Sequence, residues 1–164
     1  METLSESMKE YRCQLEKGSI QQAYRGLMEF MSGLKTRFKE TYPDCRVSGS
    51  LYSGFMDMTY FSCIPPWLEP RGLKIAVVFL HEQFRFEVWL SGVNRQVQAD
   101  YWQVIRQSNW EKYRLVENPK TADSILEHIA ADEPDFGDQA ALSDRIMRET
   151  AAFMQEVKAY LAAH

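Results

Sequence analysis

The period of apolar positions changes along the chain, and each change predicts an element. Ile20, Tyr24, Leu27, Met28, Met31, Leu34 and Phe38 recur at helical spacing, an apolar stripe along one face. Ser19-x-x-Gln22 starts this helix and Pro43 ends it, because the residue before a proline disfavours helical backbone. A shorter helix precedes it. Thr3-x-x-Glu6 has the form of a capping box, and Lys17-Gly18 marks the helix end. The tight joint at Gly18 predicts an antiparallel or steeply crossed helix pair.

From Arg46 to Cys63 the residues turn strand-like, with a break at Ser53-Gly54. They predict strands near 46–52 and 55–63, and Pro65, Pro66 and Pro70 mark the loop that follows. Leu73 to Leu90 predicts a hairpin of strands 73–81 and 84–91 turning at Glu82-Gln83. Gly92 closes it, and Asn94 is a good cap for a helix through Ser108. Val97, Tyr101, Val104, Ile105 and Ser108 form that helix's expected inner face; Arg95, Gln98, Trp102, Arg106 and Asn109 lie opposite. Tyr113–Val116 predicts a short fifth strand. A helix is expected over 121–131, with Ile125, Leu126 and Ile129 inward, and a last one over 138–162. Consecutive strands with helices segregated at the ends predict an α+β fold: one domain over residues 1–164, its mainly antiparallel sheet of four to five strands packed against N-terminal and C-terminal helices.

Side chains alternate between the faces of a strand, so the hairpin sorts its own residues. Ile75, Val77, Phe79, His81, Phe84, Phe86, Val88 and Leu90 share the face to be buried under helices. Lys74, Ala76, Val78, Leu80, Arg85, Glu87, Trp89 and Ser91 share the outer face, which is expected to stay free for contacts. On that footing Phe86 is core, and Glu87→Gln costs no more than ~1 kcal/mol.

Composition narrows the function classes. At 164 residues the chain suits a single domain, which buries roughly 70% of its unfolded surface. The net charge of −4 argues against broad phosphate binding, and so against nucleic acid as a partner. Cys13, Cys45 and Cys63 form no C-x-x-C pair and no even set, which predicts reduced thiols and a cytoplasmic protein. The acidic start Met-Glu-Thr-Leu-Ser-Glu-Ser lacks the features of a secretory signal. The longest apolar run, Ile75–Leu80, is far short of the ~20 residues of a membrane helix, so no membrane partner is expected.

The chemistry-bearing residues cluster on the strands. Arg85 and Glu87 point the same way beside Trp89, an acid and a guanidinium next to an aromatic surface. Asp57 is a single acid in the apolar and aromatic run Gly54–Tyr60, and a buried carboxylate there needs a partner. His81 ends the apolar face beside the turn. Asp57, Glu87 and His81 are the catalytic candidates; Arg85, Trp89, Tyr52, Tyr60 and Arg95 are the ligand-binding candidates of a cleft on the outer sheet face. Arg95 stands in the first turn of its helix, where free N–H groups favour anions. An Asp on one strand and a Glu on a later strand invite comparison with the restriction-endonuclease-like nucleases, which hold Mg²⁺ through an Asp and an acid-x-Lys triple, but Glu87-Val88-Trp89 has Trp in the Lys position. His81, His128 and His164 have no metal-ligand spacing, and no phosphate-binding loop, nucleophile elbow or dinucleotide fingerprint is present, so neither metal nor cofactor is expected. Arg95, Trp102, Arg106 and Trp110 make one helix surface suited to a homodimer or another partner.

Three segments carry a resemblance: Gln21–Phe30, Val47–Phe61 and the run from Arg85 to Gln98. Together they resemble a small bacterial family known only as a domain of unknown function, over nearly the whole chain. The resemblance implies a free-standing bacterial cytosolic protein and brings no activity, cofactor or catalytic residue. The expected function is a ligand-binding or protein-interaction domain. The alternative is a small hydrolase or divergent nuclease-like enzyme using Asp57 and Glu87.

Overall fold

The computed structural model describes residues 1–164. In chain order the elements are helices α1 (Leu4–Lys17) and α2 (Ser19–Thr41); strands β1 (Arg46–Val47), β2 (Met58–Ile64), β3 (Leu73–Leu80) and β4 (Arg85–Gly92); helix α3 (Arg95–Ser108); strands β5 (Arg114–Leu115) and β6 (Leu126–Asp132); and helix α4 (Gln139–Ala162). The fold is α+β: four helices and one antiparallel sheet of six strands in the order β1-β2-β3-β4-β6-β5. No helix is long and apolar enough to cross a membrane.

The hairpin register sets the two sheet faces. Ile75 pairs with Leu90, Val77 with Val88 and Phe79 with Phe86, so apolar side chains meet across the inner face. Phe30, Met31, Leu34 and Phe38 of α2 and Leu142, Ile146, Phe153, Val157 and Leu161 of α4 close over it in a cluster of 27 buried residues. The turn is four residues long rather than two, since β3 ends at Leu80 and β4 begins at Arg85. Register and faces are unaffected, but Phe84 takes a left-handed φ of 52° and is half exposed instead of sharing the buried face.

Several expectations are corrected. The segment 121–131 is not a helix; 126–132 is the strand β6, which pairs with β4 and raises the strand count to six. Its apolar residues fit a helical spacing because an extra residue, Ala130, breaks the strand period where the register slips between Phe86 and Glu87. A central strand with its edge open would expose a row of backbone donors and acceptors, and β6 satisfies the open side of β4. The strands near 46–52 and 55–63 shrink to 46–47 and 58–64, joined further along by a single bridge between Tyr52 and Tyr60. Asp57 therefore lies in a turn, not a strand. Gln98, placed on the polar face of α3, is buried, and Val104, placed inward, is exposed.

The capping box at Thr3 and Glu6 is formed, and Gly18 ends α1 at a left-handed φ of 77°. Yet α1 buries no residue. An antiparallel helix pair needs a loop of about 2–5 residues, and only Gly18 separates α1 from α2. The three cysteines are free thiols.

Candidate functional site

The outer face has its own small apolar cluster, Ala76, Val78 and Trp89, flanked by Met58, Tyr60 and Leu80. Alternation puts Lys74 on this face beside Ala76, and the β2–β3 register lays Tyr60 opposite Val78. The bridge at Tyr52 stacks its ring on Tyr60, with centroids 4.9 Å apart. Next to these rings the chain leaves β4 through Gly92 and enters α3. A Cβ on Gly92 would come within 2.6 Å of the Gln98 backbone N, so only glycine permits so close an approach. The result is a cleft of about 400 Å³ lined by Tyr52, Tyr60, Lys74, Trp89, Arg95 and Asp123, among others.

The wall of this cleft is held by hydrogen bonds among its own residues. Gln98 donates to the Pro119 and Ala122 carbonyls at 3.2 and 2.8 Å and accepts from the Gly92 N–H at 3.3 Å. Ser91 donates its hydroxyl to the Asp123 carbonyl at 2.9 Å. Arg95 donates to the Ala122 carbonyl and lies 3.4 Å from the Asp123 carboxylate. Asp123 thus pairs one of the two cleft cations and leaves Lys74 free. Burial pushes the Tyr60 phenol upward, and Tyr52 and Asp123 nearby push the same way, so Tyr60 stays protonated and able to donate.

Glu87 and Arg85 border a second, polar notch of about 270 Å³ with Lys112, Tyr113, Arg114, Glu127 and His128. Glu87 is not the solvated outer-face residue expected: it is 2% exposed. Burying a carboxylate costs heavily unless both oxygens find partners. Here Oε2 accepts from Arg85 Nε at 2.8 Å and Oε1 from the Trp89 indole at 3.1 Å. Glu87 thereby fixes Trp89 in the floor of the neighbouring cleft. In the notch Arg114 donates to Glu127 at 2.9 Å, while the His128 ring turns toward α4, with Nε2 2.8 Å from Glu149.

His81 belongs to the other side of the sheet, and Asp57 to the turn just before β2. Asp57 accepts from the Phe55 N–H at 2.9 Å, and the backbone donors of Met58 and Phe55 hold its carboxyl below the usual range. It lines neither the cleft nor the notch. His81 lines an apolar groove of about 420 Å³ between α2 and the turns at 54–57 and 81–84. The single hydroxyl hydrogen of Thr59 goes to the Ser53 carbonyl at 3.2 Å, so Thr59 accepts from His81 Nε2 at 2.9 Å. Burial lowers the His81 pKa, and Asp57 offsets this in part. The unfolded chain therefore binds a proton near pH 6.5 that folded His81 still refuses, and stability falls on acidification below that value. Denaturation midpoints measured on either side of pH 6 should show this slope, and His81→Gln should flatten it; an equal slope in the variant would assign it to another group.

Four of the five ligand-binding candidates, Tyr52, Tyr60, Trp89 and Arg95, meet in the cleft, while Arg85 stands in the notch beside it. Asp57 and Glu87 are not brought to a common cavity. Lys74 and Asp123 were missed as site residues. Strand alternation already put Lys74 on the correct face, but Asp123 fell inside the helix expected over 121–131. Trp102 and Trp110 are used within the chain. The Trp102 indole donates to the Val116 carbonyl at 2.7 Å with Arg106 over its ring, and Trp110 stacks on Tyr160 of α4 at 4.2 Å. No group of three or more His, Cys, Asp and Glu side chains is placed to hold a metal.

Residues 4–161 match a family model described as a domain of unknown function, DUF7000. No curated protein and no solved structure matches the chain.

Proposed function

We propose that this chain, which belongs to the DUF7000 family, is a ligand-binding domain whose outer-face cleft takes a small planar ring carrying an anionic group. The observation behind this reading is the pairing of aromatic surface with an unneutralised cation. Tyr52, Tyr60 and Trp89 offer ring faces, and Lys74 forms no ion pair, whereas Arg95 in the same cleft is paired with Asp123. A cleft of this volume falls within the ordinary range for small-molecule sites. Stacking supplies area at low entropic cost, and the ammonium supplies orientation. The first turn of α3 borders the same space and adds to the positive potential. Glu87, Asp57 and His81 take no chemical part in this reading; Glu87 positions Trp89.

Phenyl phosphate tests it, with phenol and inorganic phosphate as its two halves. Titration followed by Trp fluorescence and calorimetry should show phenyl phosphate binding at least tenfold more tightly than either half. Lys74→Met should lose about a factor of ten, or about 1.4 kcal/mol, with the melting temperature of the free protein unchanged. Equal binding of all three probes, or a Lys74→Met variant that binds as the parent does, would end the proposal.

A further inference from the structure

α1 is a 14-residue helix with no fully buried residue; only Gln14 and Leu15, near its C-terminal end, are partly covered. Helices of this length are marginal in water by themselves, and packing of an apolar face normally supplies their stability. Such a face is present. Leu4, Met8, Tyr11 and Leu15 follow one another at helical spacing and fall within about 60° of arc at 3.6 residues per turn. The charged and amide side chains lie elsewhere around the helix and bond among themselves, as Arg12 does with Glu16 and Gln14 with Glu10. The stripe cannot turn back onto its own body: a fold-back needs about 2–5 loop residues, Gly18 is the sole residue between the helices, and Gln21 latches the joint by donating to the Leu15 carbonyl at 2.8 Å.

The same molecule carries an unfilled counterpart. The apolar groove is lined by Ile20, Tyr24 and Leu27 of α2, facing Met56, Phe84 and Phe136, with Phe79 behind them. It lies on the opposite side of the sheet from the aromatic cleft. Its rim is exposed: Met56 and Phe84 are each 53% accessible, and Phe55 beside them is 95%. Met8 and Tyr11 on the stripe are each 52% accessible, and Leu4 is 78%. Side chains of this kind carry on the order of 200 Å² each when fully exposed, so stripe and rim together offer on the order of 800 Å² per copy. That is about what each partner contributes to a stable interface of standard size.

We propose that α1 of one copy lies in the groove of a second copy, and the reverse, giving a two-fold dimer with two identical helix-in-groove contacts. The stripe has the anchor spacing by which amphipathic helices seat in apolar grooves. Two-fold symmetry buries both unpartnered surfaces at once and leaves no open end for further growth. The dimer also explains why α1 is helical at all.

Sedimentation of the full chain over a wide concentration range tests this independently of ligand binding in the cleft. The parent should be dimeric at micromolar concentration. Met8→Asp with Tyr11→Asp should weaken the dimer at least tenfold without lowering the melting temperature of the monomer, since neither residue is buried within one copy. Phe84→Asp should weaken the dimer likewise from the groove side, with a modest loss of monomer stability because Phe84 also packs on Phe79 and Phe136. Mixing the two variants should restore a heterodimer, because one intact stripe then meets one intact groove. A parent that stays monomeric overturns the proposal, as does a dimer that both variants leave intact. A monomer whose groove binds an apolar dye, with the dye lost in Phe84→Asp, overturns it in favour of a different occupant.

Discussion

Phe86→Ala is expected to destabilise the fold by about 3–5 kcal/mol, the cost of deleting a buried aromatic ring and leaving a cavity. Phe86 is fully buried in β4. Its ring lies 4.9 Å from Phe79, 5.6 Å from Phe30 and 6.1 Å from Phe136, centroid to centroid. Those partners come from the adjacent strand, from α2 and from the turn before α4, so a single deletion loosens three parts of the molecule. None can move in without breaking its own packing, and this places the loss toward the upper end of the range. Chemical denaturation measures it as a lower midpoint at constant slope. As a control, Met8→Ala on the exposed face of α1 should stay within about 0.5 kcal/mol of the parent monomer. A loss below ~1 kcal/mol for Phe86→Ala would mean that this face is not the core.

Glu87→Gln is expected to cost about 1.5–3 kcal/mol, the range for hydrogen bonds that involve a charge. Both carboxylate oxygens are occupied, one by Arg85 and one by the Trp89 indole. The amide can still accept from the indole through its oxygen, but its NH₂ then faces the guanidinium, donor against donor. Arg85 is a quarter exposed, so water relieves part of this loss and keeps it below the 3–5 kcal/mol typical of a fully buried broken pair. A double-mutant cycle with Arg85→Met separates pairing from simple burial: the double variant should cost less than the sum of the two single ones. Additive losses would show that the two side chains do not act as a unit. Strand alternation alone expects no more than ~1 kcal/mol for Glu87→Gln, so the same measurement also reports what three-dimensional packing adds.

The difference between those two figures shows where sequence information stops. Alternation correctly placed Glu87, Arg85 and Trp89 on the face opposite Phe86. It did not say that the face would be shielded, because burial there comes from side chains on β6 and from the Trp89 ring itself. The β6 segment was hidden for a related reason. Leu126, Glu127, Ala130 and Ala131 suit a helix as well as a strand, and the bulge at Ala130 removes the period-2 signal. Asp123 and the cleft wall it forms with Gln98 were lost with that segment.

By itself the sequence determined the features that depend on neighbours along the chain: the caps at Thr3 and Asn94, the breaks at Gly18 and Pro43, the hairpin register, and the apolar face of β3 and β4. These follow from local sterics and periodicity. It also brought Tyr52, Tyr60, Trp89 and Arg95 forward as one group. The tertiary structure decided what depends on residues far apart in the chain: that β6 pairs with β4, that Lys74 forms no ion pair, that Asp57 and Glu87 share no cavity, and that α1 has no fully buried residue. Each of these turns on which surfaces meet, and a local pattern compatible with both helix and strand is resolved only by the partner that satisfies its backbone and covers its apolar side.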